Sequence, residues 1–203
     1  MKLLGLFVVR ATAPGQEPTI ITSAVDVSSV GFFQRGSARE FLVFLARTVS
    51  SRVGKGSRAS VTEQGHVLYI QSLTSGLVGV AICDSEYNQR VAFTLVSNIL
   101  AEFQEAFTGK WEGADGAKDN FIQWKELENT LVRYQSPDEA DKILKIKKDI
   151  DETKVVMYDA IDKVLARGEK IDHLVQKSDD LSGASKSFYK TAKKTNSSCC
   201  VLA

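Results

Sequence analysis

Met157-Tyr158-Asp159-Ala160-Ile161-Asp162-Lys163-Val164-Leu165-Ala166-Arg167-Gly168-Glu169-Lys170-Ile171-Asp172-His173-Leu174 is the stretch on which the reading of this 203-residue chain turns. Alternating steps of three and four through it, continued both ways, give Ile143, Ile146, Ile150, Thr153, Met157, Ala160, Val164, Arg167, Ile171, Leu174, Ser178, Leu181, Ser185, Phe188, Ala192 and Thr195. Of these sixteen, eleven are apolar, four are Ser or Thr and one is Arg167. Such a repeat predicts a helix that supercoils with partner helices. Val156, Ile161 and Val175 beside the seam widen the stripe beyond what a two-stranded coil covers, so more than two helices should meet.

Arg167 is the one charge in that seam. A buried guanidinium loses its hydration and needs acceptors in return, which glutamine side chains from three other helices would supply. A layer of that kind contributes little stability but sets register, because a one-heptad slip would place the charge against an apolar layer. The competing reading is an exposed arginine on an imperfect heptad. Neither Gly168 nor Gly183 has the look of a loop; each costs about 1 kcal/mol of helix relative to Ala, so the segment alone should be partly disordered and take its shape on assembly. Fully formed, about 53 residues of helix would make a rod roughly 80 Å long.

The 58 residues from Asp138 to Thr195 hold 12 acidic and 13 basic side chains, a composition unlike what precedes them. Pro137 marks the boundary, since it disfavours helix in the residue before it and is tolerated at a helix start. Upstream, strand and helix patterns alternate. Leu3 to Arg10 and Thr19 to Ala24 read as a hairpin around Ala13-Pro14-Gly15 and Pro18. Ser37 reads as the cap of a helix to about Arg52, with Glu40 completing a capping box. Ala59 to Glu63, His66 to Leu73 and Leu77 to Cys83 read as three further strands. Gln89 to Phe107 reads as a long amphipathic helix ended by Gly109, and Asn120 to Arg133 as a shorter one. This order predicts an α+β domain, a mostly antiparallel sheet covered by helices.

The chain ends Cys199-Cys200-Val201-Leu202-Ala203. Cys200 opens a Cys-aliphatic-aliphatic-X prenylation box, Ala203 favours farnesyl, and Cys199 is positioned for palmitoylation; the bland alternative is a chance C-terminus. Two lipids, or one lipid and a basic patch, convert transient membrane binding into residence. Lys186, Lys190, Lys193 and Lys194 are candidates for that patch. No window reaches the roughly 18 apolar residues of a membrane-spanning helix, and the apolar N-terminus is too short for a signal peptide and reads as a buried strand.

Net charge is +1, from 26 basic and 25 acidic residues, which gives no global pull toward nucleic acid. Lys145, Lys147 and Lys148 are offset by Asp149, Asp151 and Glu152, and no nucleic-acid partner is expected. Cys83, in an apolar run, reads as a buried hydrophobe; with the other two cysteines in the terminal box, a reducing compartment is expected. His66 and His173 are the only histidines and support neither a triad nor a metal site. Gly54-Lys55-Gly56-Ser57 lacks the rest of a phosphate loop. The expectation is a non-enzyme with no cofactor or metal.

Asp151-Glu152-Thr153-Lys154, Leu165-Ala166-Arg167-Gly168-Glu169-Lys170-Ile171-Asp172 and Phe188-Tyr189-Lys190-Thr191-Ala192, with the Cys-Cys box, resemble the prenylated, longin-domain R-SNAREs of the Ykt type, synaptobrevin-like v-SNARE homologues. So do Asp26-Val27-Ser28-Ser29, Phe32-Phe33-Gln34-Arg35, Glu40-Phe41, Arg58-Ala59-Ser60-Val61 and Arg90-Val91-Ala92-Phe93-Thr94-Leu95. The resemblance covers essentially the whole chain. It departs at Asn88, where the family often has Pro, and at Ala203, where it often has Met.

The resemblance implies a longin (profilin-like) domain over 1–134 with a five-stranded antiparallel sheet flanked by helices. A linker over 135–140, an R-SNARE coiled-coil segment over 141–198 and a lipidated box over 199–203 follow. It implies vesicle membrane fusion through a four-helix bundle with three Q-SNARE helices, Arg167 in its ionic layer, and later disassembly by the general SNARE machinery. It further implies that the longin domain folds back on the SNARE segment, with Phe41 and Phe44 at the contact, and shields a farnesyl on Cys200, Cys199 being palmitoylated. The implied locations are the cytosol and the cytoplasmic face of Golgi, ER–Golgi and endosomal or vacuolar membranes. The rival function is a lipid-anchored coiled-coil tether or adaptor, which would tolerate Leu in place of Arg167.

Overall fold

Successive residues of the first strand point to different cores. Leu6 and Val8 face one, Phe7 and Val9 the other, and all four are buried, as strand periodicity demands when both faces of a sheet are covered. The computed structural model describes residues 2–11, 17–112, 118–136, 142 and 154–198. Its strands are β1 (Leu3–Arg10), β2 (Thr19–Val25), β3 (Arg58–Glu63), β4 (His66–Ser72), β5 (Leu77–Asp84) and β6 (Val155–Tyr158). Its helices are α1 (Arg35–Ser50), α2 (Gln89–Phe107), α3 (Lys125–Arg133), α4 (Ile171–Lys177) and α5 (Gly183–Ser198).

The strands lie in the order β2-β1-β5-β4-β3-β6. The first five pair antiparallel, as expected. The sixth corrects the five-stranded, all-antiparallel expectation: it pairs parallel to β3, from Arg58 opposite Val155 to Val61 opposite Tyr158. Without it, β3 would present an unpaired row of N–H and C=O groups, and the β-branched pair Val155-Val156 suits a strand as well as a helix.

One face of the sheet is covered by α2, which lies on β4 and β5, and by α3, which lies on β1 and β2; Val91, Leu95, Ile99, Phe103 and Leu127 share the core beneath them. Asn88 caps α2, its side chain accepting from Arg90 N at 2.9 Å and Val91 N at 3.4 Å. The other face is covered by α1 through Phe44, Leu45, Ala46 and Val49. Two helix starts differ from expectation. α1 begins at Arg35, so Ser37 lies inside it and the capping box does not form; the third helix starts at Lys125, after Asn120 adopts a positive φ of 56°.

Gly79 sets the distance between β5 and α2. A Cβ there would stand 2.7 Å from Val96 Cγ1 and 3.0 Å from Leu100 Cγ, closer than packed carbons tolerate. Gly79→Ala should lower stability by about 1–3 kcal/mol through overpacking, read as a lower urea midpoint with an unchanged slope; an unshifted midpoint would mean the helix is free to move away.

Candidate functional site: the face where the C-terminal segment docks

The α1 face of the sheet is completed by the chain's own C-terminal segment. Ile161, Leu165, Ile171, Val175, Leu181 and Tyr189 are buried there, in one cluster with Phe44, Leu45, Ala59, Val61 and Leu68. The continuous rod is therefore not the state of this free chain. Residues 154–198 run as β6, a 3-10 turn at Ile161–Lys163, α4 and α5. The breaks have local causes. Gly168 takes a φ of +87° in the turn ahead of α4, a conformation glycine adopts without penalty, which corrects the reading that it belongs to no loop. Ser178 leaves helical geometry at the end of α4, and α5 restarts at Gly183. The expectation of disorder until outside partners arrive is likewise revised for 154–198, which fold against apolar surface offered by the same chain.

The fold distributes the heptad positions unevenly. Ile171, Leu181 and Ser185 are buried; Ala160, Val164, Leu174, Ser178, Phe188 and Ala192 are half-buried; Thr195 is exposed and Met157 is 71% exposed. Ile143, Ile146, Ile150 and Thr153 lie outside the described residues, as do Lys145, Lys147, Lys148, Cys199 and Cys200. Of the seam-flanking residues, Ile161 and Val175 are wholly buried while Val156 is 42% exposed. Arg167 is exposed, beside Gly168 in the turn. The docked segment thus uses part of the seam and leaves its charged member in solvent.

Phe41 meets the segment, and Phe44 lies beside it in the cluster that sheet and segment share. The Phe41 ring stacks on Phe44 at 6.3 Å and lies 5.1 Å from Tyr189 and 6.5 Å from Phe188. Around this aromatic contact runs a polar frame that the sequence reading missed. Glu40, read as a capping residue, instead accepts from Ser185 Oγ at 2.5 Å and Ser182 N at 3.2 Å. Arg47 bonds Asp180, between α4 and α5, and Asp119, ahead of α3; Asp119 also accepts from Ile20 N at 3.1 Å. Arg52 pairs with Glu169 at 2.8 Å, and Glu63 accepts from Ile161 N at 3.1 Å. Glu40, Phe44 and Arg47 recur at steps of four and three, one face of α1. That spacing was the available signal, but nothing local says what the face meets.

Within the segment, Asp172 accepts from Tyr189 Oη at 2.6 Å and pairs with Lys193 at 2.6 Å. Lys193 first, then Tyr189, holds the Asp172 carboxyl below its ordinary value; burial, then Asp172, pushes the Tyr189 hydroxyl up, keeping it a donor. The proposed basic patch is partly consumed in this state, because Lys186 donates to Gln176 O at 3.1 Å and Lys193 is paired.

Beside the aromatic contact lies an apolar cleft of about 190 Å³, lined by Leu4, Val27, Leu42, Phe41, Phe188 and Ala192 among others, with Asp26, Glu63 and His66 also on its wall. His66 and His173 are exposed, and among the described residues no group of three or more His, Cys, Asp or Glu is placed to hold a metal ion. Cys83 is fully buried and free, and burial pushes its thiol up, which keeps it unreactive. No helix among the described residues is long and apolar enough to cross a membrane.

Comparison with known proteins places both parts of the chain, the sheet domain and the heptad-bearing segment. Residues 142–202 match the synaptobrevin family, and residues 27–130 match the longin family, a regulated-SNARE-like domain. The chain is 44% identical over 202 residues to the VAMP-like protein YKT61 of Arabidopsis thaliana, covering 100% of both. It is 42% identical over 189 residues to the synaptobrevin homolog YKT6 of Saccharomyces cerevisiae, covering 93% of this chain and 94% of that one. It is 44% identical over 185 residues to the synaptobrevin homolog ykt6 of Schizosaccharomyces pombe, covering 91% of each. The chain belongs to the Ykt-type longin-domain R-SNAREs of the synaptobrevin family. It is an R-SNARE of vesicle trafficking, and membership implies work by assembly with SNARE partners into a SNARE complex instead of by catalysis.

The Glu40 contact makes docking sensitive to acid. Ser185 first and then Ser182 hold the Glu40 carboxyl below its ordinary 4.5. A depressed folded value means that the contribution is whole above pH 4.5 and fades as the pH falls through the lower folded value. Limited proteolysis within 154–198 should therefore quicken as the pH is lowered below 4.5, and Glu40→Gln should flatten part of that dependence. Identical pH profiles for the two chains would remove Glu40 from the contact.

Proposed function

We propose that the longin domain holds this R-SNARE closed and that opening delivers residues 141–198 as one helix of a four-helix bundle with three Q-SNARE helices. The carrying observation is that Ile171, Leu181 and Ser185, positions on the heptad seam, are buried against the domain in the free chain. One side chain cannot occupy both sites, so closure and assembly exclude each other. Arg167, exposed in the closed chain, enters the ionic layer only in the bundle, where three glutamines would accept from it. The general SNARE disassembly machinery then returns the segment to its own domain.

The anchor belongs to the same proposal. Cys200 carries a farnesyl and Cys199 a palmitoyl group, at Golgi, ER–Golgi and endosomal or vacuolar membranes. The cleft beside Phe41 is the shelter for the prenyl chain while the protein is cytosolic. In support, Ala192 on its wall stands eight residues before Cys200, a span of at most roughly 29 Å even if fully extended.

The test mixes the purified chain with candidate Q-SNARE helices and follows gain of helix and a detergent-resistant complex. Phe44→Glu should speed assembly at least about tenfold, since an unsatisfied carboxylate in the docking core costs more than 1.4 kcal/mol of closure. Arg167→Leu should still associate but with altered register or disassembly. Equal rates for Phe44→Glu and parent would contradict closure, and an Arg167→Leu chain equal to the parent in assembly, fusion and recycling would favour the tether.

A further inference from the structure

Phe32 and Phe33 break the rule by which the rest of the aromatic side chains are placed. They are 75% and 97% exposed, at a tip formed by the 3-10 turn Phe32–Gln34 just before α1. Their rings stand edge to face at 5.6 Å and 85°. The tip is braced. Arg35 donates from Nε to Val30 O and from Nη2 to Ser28 O, both at 3.1 Å, Gln34 N donates to Gly31 O at 2.8 Å, and the Arg35 guanidinium lies 5.8 Å from the Phe32 ring. A rigid mount that holds two large apolar rings in solvent costs hydration free energy in the free chain.

Charge and position single out one occupant. From Val27 to Arg39 the chain has two cations, Arg35 and Arg39, between the flanking acids Asp26 and Glu40; Asp26 lies within reach of Arg35, and Glu40 is engaged by Ser182 and Ser185, which leaves Arg39 as the cation facing out. The Arg residues are four apart on one face of α1, and Arg39 is exposed. Apolar rings rimmed by arginine match the chemistry of an anionic bilayer surface, where aromatic rings sit at headgroup level and each nearby cation adds electrostatic attraction. The tip is also continuous with the side of the molecule from which the C-terminus leaves, because Ser29 and Val30 line the same cleft as Phe188 and Ala192 of α5.

We infer that Phe32 and Phe33, with Arg39, form a membrane-insertion tip of the longin domain, a second attachment point beside the C-terminal anchor that engages the interface of an anionic bilayer. With one lipid chain a protein binds membranes only reversibly. A second shallow contact on the same body multiplies residence without altering the anchor. Phe32 and Phe33 themselves line neither that cleft nor the docked core, so their contact with a bilayer does not require the segment to be docked.

The test uses the full chain coupled at Cys200 to a single short alkyl maleimide, in a Cys199→Ser background, so that it is independent of whether cells prenylate it. Release from vesicles of phosphatidylcholine, with or without phosphatidylserine, is timed by transfer to acceptor vesicles. Phe32→Ser with Phe33→Ser should release about tenfold faster or more, and Phe33→Trp should keep the parent rate. Arg39→Gln should release about fivefold faster from the phosphatidylserine vesicles and unchanged from the neutral ones. Thermal unfolding matching the parent shows that the exposed substitutions leave the fold intact. Equal release rates for the double-serine variant and the parent would overturn the inference. So would a double-serine variant that releases normally yet assembles poorly with Q-SNARE helices, which would make the tip a protein-docking surface.

Discussion

Each apolar side chain of the C-terminal segment can be buried only once at a time, and the rest of the structure depends on that exclusion. Ile171 and Leu181 sit in the core beneath α1; in a helical bundle they would sit in its seam. The sheet is built to take them, since β3 offers a free edge to Val155–Tyr158 and α1 sets Phe41 against Tyr189 while its Phe44, Leu45 and Val49 join the core that sheet and segment share. Under the proposed function the chain has two packings of one segment, and a partner tips the balance by offering more apolar area than the domain does.

The polar frame decides where the segment docks more than how tightly. Glu40, Arg47, Arg52 and Glu63 meet Ser185, Asp180, Glu169 and the Ile161 amide at four points along the segment. Contacts of this kind near the surface contribute little each. They cannot be made in a shifted register, so they specify one closed arrangement. The Arg47 and Arg52 contacts lie toward solvent, whereas Ser185 and Ile161, which meet Glu40 and Glu63, are buried.

Much of the domain was legible in the sequence because its elements obey local rules. α2 runs over the residues its apolar spacing marked, capped by Asn88; β1 to β5 follow runs of strand-forming residues between turn signals. What was not legible is what depends on long-range partners. Val155–Tyr158 lies on a faultless heptad and yet forms a strand, because an unsatisfied sheet edge outweighs helical periodicity where both are possible. Glu40 met the spacing of a capping box, but the amide and hydroxyl of residues more than 140 positions away offered it better donors. Arg167 announced itself as anomalous in the seam, and only the fold puts it in solvent.

The most direct measurement is amide hydrogen exchange along residues 154–198 in the free, full-length chain, before and after Q-SNARE helices are added. Closure predicts slow exchange at Val155–Tyr158 and through α4 and α5 in the free chain, with β3 losing protection once the segment has left for the bundle. Exchange at unfolded rates across Val155–Tyr158 and Ile171–Tyr189 in the free chain would contradict it.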